Sequence, residues 1–180
     1  MSIKSVMLRN KKTLIIRVAK KEDSLKYINY LSQIAVQTDF LTFGVDDLLT
    51  SQDEQESMIE NSAKMDNQLM IFAIVDGEIV GGLNFRSSDR PRIRHTGEFG
   101  VSVLKDSWGL GIGTHLISYL IEWAKISKII RKINLGVRSD NRRAIRLYSR
   151  LGFSEEGATT RGFLLGNQFY DAIYMGMEID

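Results

Sequence analysis

Hydrophobic and polar positions change their rhythm several times along the chain. Thr13-Leu14-Ile15-Ile16-Arg17-Val18 is rich in β-branched residues and predicts a first strand. From Lys21 to about Gln37, Leu25, Ile28, Leu31, Ile34 and Ala35 recur at helical spacing. The acidic stretch Asp46–Lys64 predicts a second helix or helix pair, with Leu48, Leu49, Met58 and Ile59 turned inward. Gln68–Val75 and Glu78–Phe85 read as strands joined by the hairpin turn Asp76-Gly77. Ser87–Thr96 is a polar loop with the only proline, Pro91, and Glu98–Leu104 is a further strand.

Beyond a glycine-rich loop, Ile112, Leu116, Leu120 and Ala124 repeat along one helix face, flanked by Ile117, Ile121 and Trp123. Lys132–Val137 predicts a buried strand. Asn141–Leu151 predicts a helix, with Asp140 or Ser139 as N-cap and Gly152 at its end. Two last strands, about Phe153–Ala158 and Phe169–Glu178, flank a turn at Gly166-Asn167. Met1–Lys12 is an N-terminal extension, flexible or strand-forming. With no internal repeat or linker, the pattern predicts a single α/β domain over residues 1–180: a strand meander, then a strand–helix–strand crossover.

Composition narrows the chemistry. The 180 residues are 43% hydrophobic and 26% charged, enough apolar material for a core without staples. There is no cysteine, which excludes disulfides, thiolate metal sites and a cysteine nucleophile. The longest apolar run, Leu69–Val75, is too short for a membrane span, and Met1–Lys12 lacks the pattern of a secretory signal. A cytoplasmic protein with no membrane partner is expected. The net charge of +2 is small, and the arginines at 86, 90, 92, 94 and 138–150 lack interleaved aromatics, so no nucleic-acid partner is expected either.

The loop Gly109-Leu110-Gly111-Ile112-Gly113-Thr114 joins a strand to a helix. Glycines there let a ligand approach the backbone, and the free amides of the first helical turn point at it along the positive dipole end. That is an anion site. It is not a P-loop, because Gly113-Thr114-His115 has no lysine, and it lacks the dinucleotide spacing.

Trp108-Gly109-Leu110-Gly111-Ile112-Gly113-Thr114 resembles the Q/R-x-x-G-x-G/A signature of the GNAT acetyltransferase superfamily, with Trp108 where Gln or Arg is usual. Asn141-Arg142-Arg143-Ala144-Ile145-Arg146-Leu147-Tyr148-Ser149-Arg150-Leu151-Gly152-Phe153 is similar to that family's N-x-x-A-x-x-x-Y-x-x-x-G-F block. The resemblance covers about residues 97–178. It looks most like the bacterial branch that includes ribosomal-protein N-terminal and polyamine acetyltransferases.

The resemblance implies a GNAT fold: a central mixed, mostly antiparallel sheet flanked by helices and splayed between its fourth and fifth strands. It implies acetyl-CoA as co-substrate without a metal, with the diphosphate on the glycine loop. The pantetheine arm would pair with the backbone of Ser102, Val103 and Leu104, while Asn141 and Arg143 assist. Tyr148 matches the family's general acid, and Glu98 resembles a glutamate that serves as base; strand parity decides whether Glu98 faces the site. His95, His115 and Asp171 are weaker candidates. The acceptor is expected to be a primary amine of a small molecule or peptide, in a pocket built from residues 21–65, 86–96 and 159–170. A homodimer is common among such proteins. The alternative is a non-catalytic module that binds CoA as a sensor.

Overall fold

The computed structural model describes residues 3–48 and 51–180, so the expectation for Leu49 lies outside the described residues. Eight strands form one sheet in the order β1-β2-β3-β4-β5-β6-β8-β7. They are β1 (Lys4–Met7), β2 (Thr13–Val18), β3 (Leu69–Val75), β4 (Glu78–Ser87), β5 (Thr96–Val103), β6 (Lys132–Arg138), β7 (Ser154–Leu165) and β8 (Gln168–Glu178). The helices are α1 (Ser24–Gln37), α2 (Gln52–Lys64), α3 (Ile112–Ser127) and α4 (Arg142–Arg150).

The extension at the N-terminus supplies a strand. Lys4–Met7 pairs antiparallel with β2, from Lys4↔Ile16 to Met7↔Thr13. At the other edge, β7 runs on to Leu165, well past the expected end at Ala158, through a register shift against β8 between Thr159 and Phe163.

The fully apolar β3 sits between two cores. Its odd residues, Leu69, Ile71, Ala73 and Val75, pack in the larger core with α3 and α4 residues such as Leu116, Leu120 and Tyr148. Its even residues, Met70, Phe72 and Ile74, pack with Tyr30, Ile34 and Ile59 of α1 and α2. A strand covered on both faces must be apolar at every position, as the sequence of β3 is. Each fully buried Leu, Ile or Phe contributes roughly 1.5–3 kcal/mol, so both helix layers are held firmly.

All neighbouring strands are antiparallel except β5 and β6. Those two pair in parallel only at Thr96↔Lys132, Gly97↔Ile133 and Glu98↔Asn134. Past Glu98 they part, β5 staying on β4 to Val103 and β6 staying on β8 to Arg138. A gap therefore opens in the sheet between its fifth and sixth strands. These are the fourth and fifth strands of the sequence reading, displaced by one because β1 precedes them. Among the described residues, no helix is long and apolar enough to cross a membrane.

Candidate active site

The glycine loop enters the gap from the end of β5. Gly109 and Gly111 have φ of 81° and 84°, a left-handed backbone that costs a side-chain-bearing residue about 1–2 kcal/mol. Gly111 is the N-cap of α3, and no side chain caps the helix there. The first-turn amides of Ile112, Gly113 and Thr114 have no partner within the helix, so they remain free for an anion. Leu110 is partly buried and anchors the loop on the larger core. An added Cβ on Gly113 would touch Leu147 of α4 at 3.4 Å, so α4 closes against the start of α3.

Trp108 ties this region together. Its indole N–H donates to the Val103 carbonyl at 2.6 Å, and the Arg143 guanidinium lies 4.7 Å from its ring centre. Arg143 thus brings a cation to the glycine loop. Asn141 is itself the N-cap of α4, in place of the expected Asp140 or Ser139: its Oδ1 accepts from the Ala144 amide at 3.2 Å. Its Nδ2 has no hydrogen-bond partner among the described residues and is left for a ligand.

The backbone of β5 faces two ways. Leu104 N–H donates to the Val80 carbonyl at 2.9 Å, one step beyond the last ladder pair Gly81↔Val103, and the Leu104 carbonyl accepts from the Ser107 amide at 2.9 Å. Ladder alternation then turns the peptide groups of Ser102 towards β4 as well, and those of Val101 and Val103 towards the gap. Of the three residues expected to pair with a pantetheine arm, only Val103 has a gap-facing backbone. Antiparallel partners exchange both bonds only at every second residue.

Parity also places the two reactive candidates. The β4–β5 register runs without a shift through Arg86↔Glu98, Phe85↔Phe99 and Asn84↔Gly100. Phe99 packs in the larger core, so Glu98, Gly100 and Ser102 lie on the α1–α2 face. Glu98 is exposed, and its Oε1 lies 3.7 Å from where a Cβ on Gly136 of β6 would be. The carboxylate thus leans over the gap. Tyr148 approaches from the other face, with ring centres 5.9 Å from Phe99 and 6.2 Å from Phe153. Burial pushes its phenol up to about 12. The structure brings Glu98 and Tyr148 to opposite faces of the same opening.

On the Glu98 face, Arg138 is buried at the end of β6 and forms a clasp that the sequence did not single out. It pairs with Asp140 at 2.7 Å and donates to the Asp39 carbonyl at 3.0 Å. Its guanidinium lies 4.3 Å from the ring centres of both Phe40 and Tyr170. Further along this face, a cavity of about 700 Å³ separates α2 from β3 and β4. The other candidates play lesser parts. The His95 carbonyl accepts from Arg131 and Lys132, Asp171 accepts from the Arg161 amide, and His115 borders the glycine loop from the first turn of α3. Among the described residues, no cluster of His, Cys, Asp and Glu could hold a metal ion.

Comparison with known proteins bears on the whole arrangement. The profile of the acetyltransferase (GNAT) family matches residues 29–153. The chain is 32% identical over 105 residues to the L-amino acid N-acetyltransferase AaaT of Escherichia coli strain K12, an alignment covering 58% of this chain and 65% of that protein. A GNAT-family acetyltransferase from Streptococcus pneumoniae superposes with a TM-score of 0.90 at 34% identity, over 93% of this chain and 99% of that one. The yncA protein of Salmonella typhimurium, solved with its cofactor acetyl-CoA, shares the fold with a TM-score of 0.81 at 22% identity, over 93% and 94% of the two chains. The glycine loop, the parted strands and a family match from the middle of α1 to the end of α4 agree: the chain belongs to the GNAT acetyltransferase family.

Proposed function

We propose that this acetyltransferase moves an acetyl group from acetyl-CoA to a primary amine by direct attack of the amine on the thioester. The observation that carries the reading is the position of Glu98 and Tyr148 on opposite faces of the sheet, where β5 and β6 part. The acetyl-CoA bound to yncA, on the same fold, supports the choice of donor.

In this reading, residues 1–180 act as one catalytic domain. The free amides at Ile112–Thr114 hold the diphosphate, with Gly109, Leu110 and Gly111 shaping the approach and Arg143 adding charge. The Val103 backbone, joined by Val101, pairs with the pantetheine arm by adding a strand to the exposed edge. The Asn141 Nδ2 adds a donor at the mouth of the gap, while Ser102 and Leu104 support β5 from the β4 side.

Glu98 takes the proton that the amine must lose, directly or through one water. As the C–N bond forms and the C–S bond breaks, Tyr148 meets the departing sulfur. A phenol near 12 facing a thiol of ordinary acidity, about 8.5, would give up its proton at a cost of about 5 kcal/mol in the resting protein. Tyr148 therefore acts first as a hydrogen-bond donor to the developing thiolate; the proton it passes to sulfur is then returned to the phenolate from solvent.

The acceptor is a primary amine of a small molecule or a protein N-terminus. An amine and peptide panel with acetyl-CoA, read by free-thiol release and by mass gain of 42 Da on the acceptor (about one acetyl group for one proton), tests the reading. Thiol release that depends on Glu98 is expected. Tight acetyl-CoA binding without release across the panel would instead identify a CoA sensor.

A further inference from the structure

The cavity between α2 and the sheet lies on the same sheet face as Glu98. Ser57, Met58 and Ser62 line it from α2, and Met70, Asn84 and Arg86 line it from β3 and β4. Asn84 stands opposite Gly100 on β5, and Arg86 stands opposite Glu98. No atom lies within 4 Å of the position a Cβ on Gly100 would take. The cavity therefore reaches Arg86, the cross-strand neighbour of the carboxylate assigned as base.

Two polar groups at this cavity are poorly satisfied by the protein. The exposed Arg86 guanidinium has, among the described residues, one hydrogen bond, Nη2 to the Met58 sulfur at 3.5 Å, and thioether sulfur is a weak acceptor. Among the described residues it has no carboxylate within 4.0 Å, although Glu98 is its cross-strand neighbour. The Ser62 Oγ is buried and has no hydrogen-bond partner among the described residues, and Ser62 is 8% exposed. The acidic side chains nearest the mouth do not answer Arg86 either. Glu54 is engaged with the Ser51 amide and hydroxyl, and Asp53 is exposed.

Arg86 and Glu98 thus present a positive and a negative group side by side on one sheet face without closing on each other. A free amino acid carries the complementary pair, with its ammonium and carboxylate a few bonds apart. We propose that the acceptor is an α-amino acid, its carboxylate held by Arg86, its amine at Glu98, and its side chain in the cavity against Met58 and Met70. This rests on the acetyl-transfer reading for the role of Glu98. It makes Arg86 the residue that sets acceptor specificity, since Arg offers a carboxylate two parallel N–H donors.

The test uses the full chain with acetyl-CoA. Calorimetry and thiol release are measured for the twenty L-amino acids and, for each that binds, its carboxamide. At least one amino acid is expected to bind, with its carboxamide weaker by roughly 10–100-fold, the worth of a charge-assisted pair. Arg86→Gln should collapse that discrimination to within about threefold, and Arg86→Lys should restore part of it. Circular dichroism checks that both variants fold. If no amino acid binds, or if acid and amide bind equally well, the amino-acid assignment is wrong, even when other amines release thiol. Binding that depends on Arg86 without thiol release would keep the assignment and overturn the transfer reading instead.

Discussion

The Trp108 indole N–H donates to the Val103 carbonyl at 2.6 Å. Trp108 occupies the motif position where Gln or Arg is usual, and here it acts on the protein's own backbone. It fixes the last residue of β5 beside the gap and, through its ring, keeps Arg143 near the glycine loop. A braced strand end and a neighbouring cation stand where the motif usually has a polar side chain.

Trp108→Phe keeps the ring and removes the hydrogen bond. Thermal unfolding should show a loss of about 0.5–1.5 kcal/mol, with acetyl-CoA affinity within a few-fold of the parent. Trp108→Ala should weaken acetyl-CoA further by releasing Arg143, and the weakening should shrink at high salt. Equal affinity in both variants would remove Arg143 from the account.

Gly111→Val places a β-branched residue at φ 84°, where backbone strain costs on the order of 1–3 kcal/mol. The first turn of α3 should shift, and calorimetry should show acetyl-CoA binding weakened at least tenfold. Normal binding would sink the diphosphate assignment.

Tyr148→Phe should lower turnover roughly 10–100-fold while leaving acetyl-CoA affinity nearly intact. Because burial lifts the phenol to about 12, the parent should show no loss of activity from Tyr148 ionisation below about pH 10. Unchanged turnover of the variant with a good acceptor would dismiss Tyr148.

Alkaline stability gives an independent check. Burial raises Tyr27 and Tyr148 to about 12 and raises Tyr30 as well. Their unfolded counterparts ionise near about 10, so the unfolded state gains as pH climbs past that value. Stability held below about pH 10 should then fall with a slope of up to about 1.4 kcal/mol per pH unit for each tyrosine. Chemical denaturation from pH 8 to 11 measures it, and Tyr148→Phe should make the slope shallower.

Much of this was legible in the sequence because it depends on local pattern. The apolar run Leu69–Val75 reads as a strand, and three alternating glycines between a strand and a helix mark the loop. What escaped depends on partners. The β1 strand is short and half exposed, and its pairing with β2 fixes it more than its own residues do. Which of Ser102, Val103 and Leu104 faces the gap follows from hydrogen bonds to β4, which the residues of β5 do not encode. Arg86 and Arg138 looked like parts of a diffuse basic surface. Folding separates them, leaving one guanidinium at a cavity and burying the other between two rings.

The Arg138 clasp has a bearing on how such a protein can diversify. It joins the segment after α1, through Asp39 and Phe40, to Tyr170 near the start of β8, more than a hundred residues later in the chain. A graft that replaced the segment around Phe40 alone would leave a buried cation with half of its seat. The two segments are thus most readily transplanted together, as one discontinuous cassette keyed to a single arginine.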